Sequence, residues 1–148
     1  MMNFTILDLE PMTLAFASDR DESLAVRKLE SFLSAAGITP SHRYQNELVL
    51  KKNGLRLSLY NKYAVVPAGT PKTKDVNTND LPGGPALAFR LSETEYAALM
   101  DGDLKATIES FNEAHGLAWD LRRMIALAEP KHENGTVVHD ILVPVRRK

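Results

Sequence analysis

The pair Asn53-Gly54, preceded by Leu48-Val49-Leu50-Lys51-Lys52 and followed by Leu55-Arg56-Leu57-Ser58-Leu59-Tyr60, constrains the fold of this chain more than any other local feature. Asn-Gly is the favoured pair for a two-residue type I′ turn, because both central residues need positive φ. With Asn53-Gly54 as the loop, Lys52 pairs with Leu55, Lys51 with Arg56, Leu50 with Leu57, Val49 with Ser58, Leu48 with Leu59 and Glu47 with Tyr60. One face of this 47–60 hairpin then carries five leucines and belongs on a core. The other is half polar and sets Lys51 opposite Arg56, a like-charge pair that an anion would relieve.

The segments around the hairpin supply the rest of the sheet and its cover. Asn3–Leu9 and Met12–Ala17, separated by Glu10-Pro11, alternate weakly and read as two short strands. Asp19 and Glu22 resemble a capping box that opens a helix over about 20–36. Ala25, Leu29, Phe32 and Ala36 share its apolar face, and Gly37 and Pro40 stop it. Tyr63–Val66 reads as a strand ending at Pro67. Residues 67–85 lack periodicity and hold four prolines and three glycines, so they are expected to form one long mobile loop. Strand 86–91 follows, then a Ser92-x-x-Glu95 capping box for a helix over 93–100. A helical stripe of Leu104, Ile108, Phe111, Ala118, Leu121 and Ile125 extends over about 103–128, with Gly116 as a candidate break and Pro130 as its stop. The β-branched run Thr136–Val143 is a strand that Pro144 marks as terminal or at an edge. No internal repeat is visible. The expectation is one domain over 1–148 of the α+β class, an antiparallel sheet of the hairpin with N-terminal, 86–91 and C-terminal strands, its helices packed on one face.

The 148 residues contain no cysteine, which excludes disulfides and thiolate metal sites. The start lacks a secretory signal and no apolar run approaches a membrane span, so a cytoplasmic protein without membrane contact is expected. Nucleophile elbows and Gly-rich phosphate loops are absent. His132-Glu133 and His139-Asp140 lie near each other in sequence, but neighbours on a strand point to opposite faces, so no metal site, cofactor or catalytic residue is assigned.

Charge supplies the remaining signal. Net charge is -1, yet residues 40–75 sum to +5 and residues 76–129 to -5. The basic stretch mixes cations and aromatic rings, as nucleic-acid stacking platforms do. Arg43, Tyr44, Lys51, Lys52, Arg56, Tyr60, Lys62, Lys72 and Lys74 are therefore the candidate nucleic-acid or anion contacts. The acidic helical half could instead face a basic partner protein. The favoured reading is a non-enzymatic protein-binding chain, of the kind phages or mobile elements use as accessory inhibitors of host machinery. Nucleic-acid or phosphorylated-ligand binding through 42–74 is the alternative, and an enzyme built around His115 or His132 the third.

Overall fold

The computed structural model describes residues 3–45, 49–51, 54–56, 60–97, 103–120 and 127–148. Two strands, β1 (Thr5–Leu9) and β2 (Met12–Asp19), lead into helix α1 (Glu22–Ala36). Asp21 caps α1, its carboxylate accepting from the Ser23 and Leu24 amides at 2.9 and 3.3 Å. Asp19, expected in that role, instead accepts from the Asp21 amide at 2.9 Å and from Lys28 at 3.0 Å. The helix buries Ala25, Leu29, Phe32 and Leu33. It ends at Gly37, whose φ of +69° places the Ile38 amide 2.9 Å from the Leu33 carbonyl, a Schellman closure that a side chain at Gly37 would strain.

Short strand β3 (Arg43–Gln45) follows, then β4 (Val49–Lys51) and β5 (Gly54–Arg56), which among the described residues pair with each other, apart from the main sheet. Their register sets Val49 opposite Arg56, Leu50 opposite Leu55 and Lys51 opposite Gly54. Each β4 residue thus pairs with the position two residues before the expected partner, and the Lys51–Arg56 juxtaposition is not formed. The displacement puts Gly54 beside Lys51, so the like charges are not directly opposed. Glu47, Leu48, Lys52, Asn53, Leu57, Ser58 and Leu59 lie outside the described residues.

The chain continues through β6 (Tyr60–Val66), β7 (Asn77–Leu81) and β8 (Gly84–Ser92), so the stretch read as one loop contains a strand and the start of another. β7 pairs with β2 at the sheet edge and exposes most of its polar sequence Asn-Thr-Asn-Asp, which explains its loop-like appearance. Helix α2 (Glu93–Ala97) opens on a reciprocal capping box: the Ser92 amide donates to Glu95 at 2.9 Å and the Glu95 amide to Ser92 Oγ at 3.1 Å. Helix α3 (Asp103–Ala114) stops before Gly116, which has φ +67°. Beyond it lie β9 (Leu117–Trp119), β10 (Leu127–Glu133) and β11 (Thr136–Arg147). The helix expected over 103–128 therefore ends some 14 residues early; positions 98–102 and 121–126 are outside the described residues.

Among the described residues nine strands form one sheet in the order β1-β8-β11-β10-β3-β6-β2-β7, with β9 added to β11, and every pairing is antiparallel. The order is palindromic in topology. In one half β2-α1-β3-β6 is edged by β7, and in the other β8-α2-α3-β10-β11 is edged by β1, with the halves joined where β3 meets β10. The absence of a sequence repeat thus conceals a repeated topology.

The helices cover one face. There, α1 packs on Ala15, Ala17, Ala64 and Val66, while Ile108 of α3 and Tyr96 of α2 pack on Leu87, Phe89, Leu91, Ile141 and Val143. Side chains of opposite parity point to the other face, where Leu14, Tyr44, Tyr63, Leu81 and Leu127 form a third buried cluster.

Candidate functional site

The face away from the helices carries one continuous transverse row. Pairings across β7, β2, β6 and β3 align Asn77, Phe16, Tyr63 and Tyr44. The Ala128–Gln45 pairing then sets Glu129 of β10 opposite Tyr44, and Glu129 continues to Asp140 of β11 and Arg90 of β8. The two halves of the sheet fill equivalent positions with opposite chemistry: aromatic rings in one, an ionic chain in the other. Phe16 stacks on Tyr63 with ring centres 5.3 Å apart.

The ionic half is tightly bonded. Arg90 Nε donates to Asp140 Oδ1 at 2.8 Å, a second guanidinium N–H donates to Asp140 Oδ2 at 3.2 Å, and a third to Glu133 at 2.8 Å. Lys131 lies 3.0 Å from Asp140 and 3.8 Å from Glu129. The Arg90 hydrogen bond, reinforced by Lys131, holds the Asp140 carboxyl below the usual carboxylate range against the opposing effect of burial. His42 Nδ1 lies 3.0 Å from Glu129, and its ring stacks on Tyr44 at 5.8 Å. Burial, and next the charge of Glu129, push the Tyr44 hydroxyl above the ordinary tyrosine value.

A cleft of about 400 Å³ opens along this row. Thr5, Leu7, Ala88 and Leu142 form its apolar wall, and Tyr44, Glu129, Asp140 and Arg90 its polar side. The network contains three carboxylates against two permanent cations. One negative charge is left unbalanced by these cations, in a setting where only a fifth of the Glu129 side chain is exposed.

The residues expected to contact nucleic acid are not gathered at one place. Tyr44 lines the cleft. Arg43 points to the helix-covered face and pairs with Glu30, and Lys62, also on that face, lies 3.3 Å from Glu22 and donates to Gln45 at 2.9 Å. Tyr60 is half-buried at the start of β6, while Lys72 and Lys74 are exposed between β6 and β7. Lys51 and Arg56 belong to β4 and β5, and Lys52 is outside the described residues. His115 stacks on Phe111 at the end of α3, and His132 is exposed on β10. Sequence reasoning missed Arg90, Glu129, Lys131 and Asp140. The alternating Leu127, Glu129, Lys131, Glu133 was the available signal, masked by reading 121–128 as helix and Pro130 as a stop.

No family model matches this chain, and no curated protein does. Solved structures share its fold. The C-terminal domain of EcmrR superposes with a TM-score of 0.71 at 11% identity, covering 100% of this chain and 99% of that one. EcmrR in complex with DNA matches with a TM-score of 0.67 at 13% identity over 99% of this chain, which spans only 58% of that protein. A hydrolase from Listeria innocua gives 0.64 at 12% identity, covering 97% of this chain and 91% of that one. Among the described residues no helix is long and apolar enough to cross a membrane.

Proposed function

We propose that this chain is a non-enzymatic binding module whose cleft on the helix-free side of the sheet receives a compact organic cation with an apolar body. The Tyr44–Glu129 junction carries this reading. A partly buried carboxylate beside a buried tyrosine, at the end of an apolar wall, attracts positive charge while the wall and ring remove apolar surface from water. Arg90 and Asp140 satisfy each other, so Glu129 and His42 are the members free to exchange partners. The occurrence of the fold as the C-terminal domain of EcmrR, a protein whose complex with DNA has been solved, supports a role as the ligand-responsive part of a DNA-associated regulator.

The test is thermal denaturation with benzyltrimethylammonium, phenylacetate and neutral benzyl alcohol. The cation should raise the melting temperature of the wild type, phenylacetate should not, and Glu129→Gln should abolish the shift. Equal shifts from all three, or an unchanged response in Glu129→Gln, would refute the assignment. An accessory inhibitor of phage or mobile-element origin belongs to the same binding class; stoichiometric capture of one host protein, undiminished by Glu129→Gln, would favour it. Direct nucleic-acid contact is a second reading, drawn from the DNA complex of EcmrR. Steeply salt-dependent retention of an oligonucleotide, weakened by Lys72→Glu and Lys74→Glu, would favour that one.

A further inference from the structure

A second groove, independent of the Glu129 cleft, runs between α1 and the connection from β6 to β7. It encloses about 570 Å³. Its floor is Phe32 and Val76, both buried, and its walls include Leu24, Ala35, Ala36 and Pro71. Leu24 is 40% exposed, one of three large apolar side chains so exposed among the described residues. The far wall is a built segment. The Thr73 amide donates to the Val76 carbonyl at 2.9 Å, the Val76 amide returns to Thr73 Oγ at 3.3 Å, and Thr70 closes a turn on the Pro67 carbonyl.

The rim is cationic. Arg27 and Lys28 stand on the α1 side. Lys28, Thr73 and Asp75 are shared with an adjoining cleft of about 440 Å³ that also holds Lys72 and Lys74. Lys28 is paired with Asp19, but no ion pair found among the described residues engages Arg27, Lys72 or Lys74. Asp75 is the one acid lining both clefts, so the joined surface sets three cations without such a pair, Arg27, Lys72 and Lys74, against it.

We infer that this groove docks an acidic peptide segment of a partner protein, one that places aliphatic side chains against Leu24 and Phe32 and carboxylates beside Arg27, Lys72 and Lys74. The floor decides between this occupant and a nucleic acid. Single-stranded nucleic acid is held by stacking bases on exposed aromatic faces, whereas the groove's one ring, Phe32, is only 8% exposed and flanked by aliphatic groups, and the adjoining cleft's one ring, Phe16, is half-buried and already stacked on Tyr63. An apolar floor with a cationic rim instead matches a segment that alternates acidic and aliphatic residues.

The experiment is selection of a phage-displayed random 12-residue peptide library on the purified full chain. Affinities of the enriched peptides are then measured by fluorescence anisotropy at 50 and 300 mM NaCl. Enriched peptides should be net acidic with at least two aliphatic or aromatic residues, and should weaken about tenfold across this salt range. Lys72→Glu with Lys74→Glu, and separately the exposed change Leu24→Asp, should each cost about tenfold in affinity, as expected for losing charge complementarity or an apolar anchor. Glu129→Gln should leave peptide binding unchanged, which separates failure here from failure of the small-ligand site. Circular dichroism of each variant secures that the fold is retained. The inference is overturned if selection yields no acidic, apolar consensus, if either groove variant with native dichroism binds as the wild type does, or if a (dT)20 oligonucleotide displaces the peptides at equal concentration. It is equally overturned if Leu24→Asp converts a dimer to a monomer, because the groove would then be occupied by a second copy.

Discussion

Replacing Tyr63 by Ala should be among the most damaging single changes in this chain. Tyr63 is 6% exposed and sits mid-row between Phe16, whose ring it stacks on at 5.3 Å with an interplanar angle of 29°, and Tyr44. Truncating a buried aromatic residue to Ala removes its transfer free energy and leaves a cavity, together about 3–5 kcal/mol, and the lost ring pair is worth about 0.5–1.5 kcal/mol beyond area. These overlap, so a loss of about 4 kcal/mol is expected, a large part of the stability of an ordinary domain. At about 2–4 °C per kcal/mol for a chain of this size, the melting temperature should fall by roughly 8–16 °C. Tyr63→Phe keeps the ring and should cost no more than about 1.5 kcal/mol, the value of a hydroxyl hydrogen bond. Urea denaturation followed by Trp119 fluorescence measures both. A loss below about 1 kcal/mol for Tyr63→Ala would refute the placement of this row inside the molecule, since only a solvent-facing ring is removed so cheaply.

Three further outcomes follow from the polar groups. Asn112 is buried with neither amide atom hydrogen-bonded, so Asn112→Leu should stabilise by about 1 kcal/mol, the gain from removing orphaned polar atoms less some packing strain; destabilisation in urea would mean the amide finds a partner in solution. The Asp140 carboxyl is depressed by Arg90 and Lys131, so its contribution is present above the unfolded-state value of about 4 and is lost as pH falls through the lower folded value. Asp140→Asn should therefore flatten the acid limb of a stability–pH profile, and an unchanged limb would contradict the pairing. For Tyr44 the raised value makes the neutral form the folded one: its contribution is intact below the unfolded tyrosine value near 10 and lost as pH rises through the folded value. Absorbance at 295 nm should show a late-titrating phenol that Tyr44→Phe removes and Glu129→Gln brings earlier; no movement in Glu129→Gln would separate the two groups.

Local signals carried the sequence reading where they were self-contained. Ala25, Leu29 and Phe32 at helical spacing with Gly37 behind them define α1, and Ser92 with Glu95 defines the start of α2 in both sequence and structure. The α+β class and the one-sided helices followed from the order of such elements. The prolines misled. Pro130 lies within β10 and Pro144 within β11, yet each sits where the strand is laddered on one side: among the described residues β10 pairs with β3 at Ala128–Gln45 alone, and β11 at Pro144 pairs with β8 between its contacts with β10 and β9. A missing N–H is tolerated at such gaps. The candidate site was illegible for a different reason. Tyr44, Arg90, Glu129 and Asp140 are far apart in sequence, and only the meeting of β3 with β10 joins an aromatic row to an ionic one. The basic segment is real as composition, but α1 and β3 draw Arg43 and Lys62 into pairs with Glu30 and Glu22, leaving Lys72 and Lys74 on a different surface.

Amide chemical-shift mapping with benzyltrimethylammonium is the most direct test of the ligand cleft. Saturable shifts should centre on Tyr44, Ala88, Glu129, Asp140 and Leu142, spare Leu24 and Phe32, and disappear in Glu129→Gln. Shifts confined to the α1 groove, no saturable shift at all, or a pattern that persists in Glu129→Gln would contradict it.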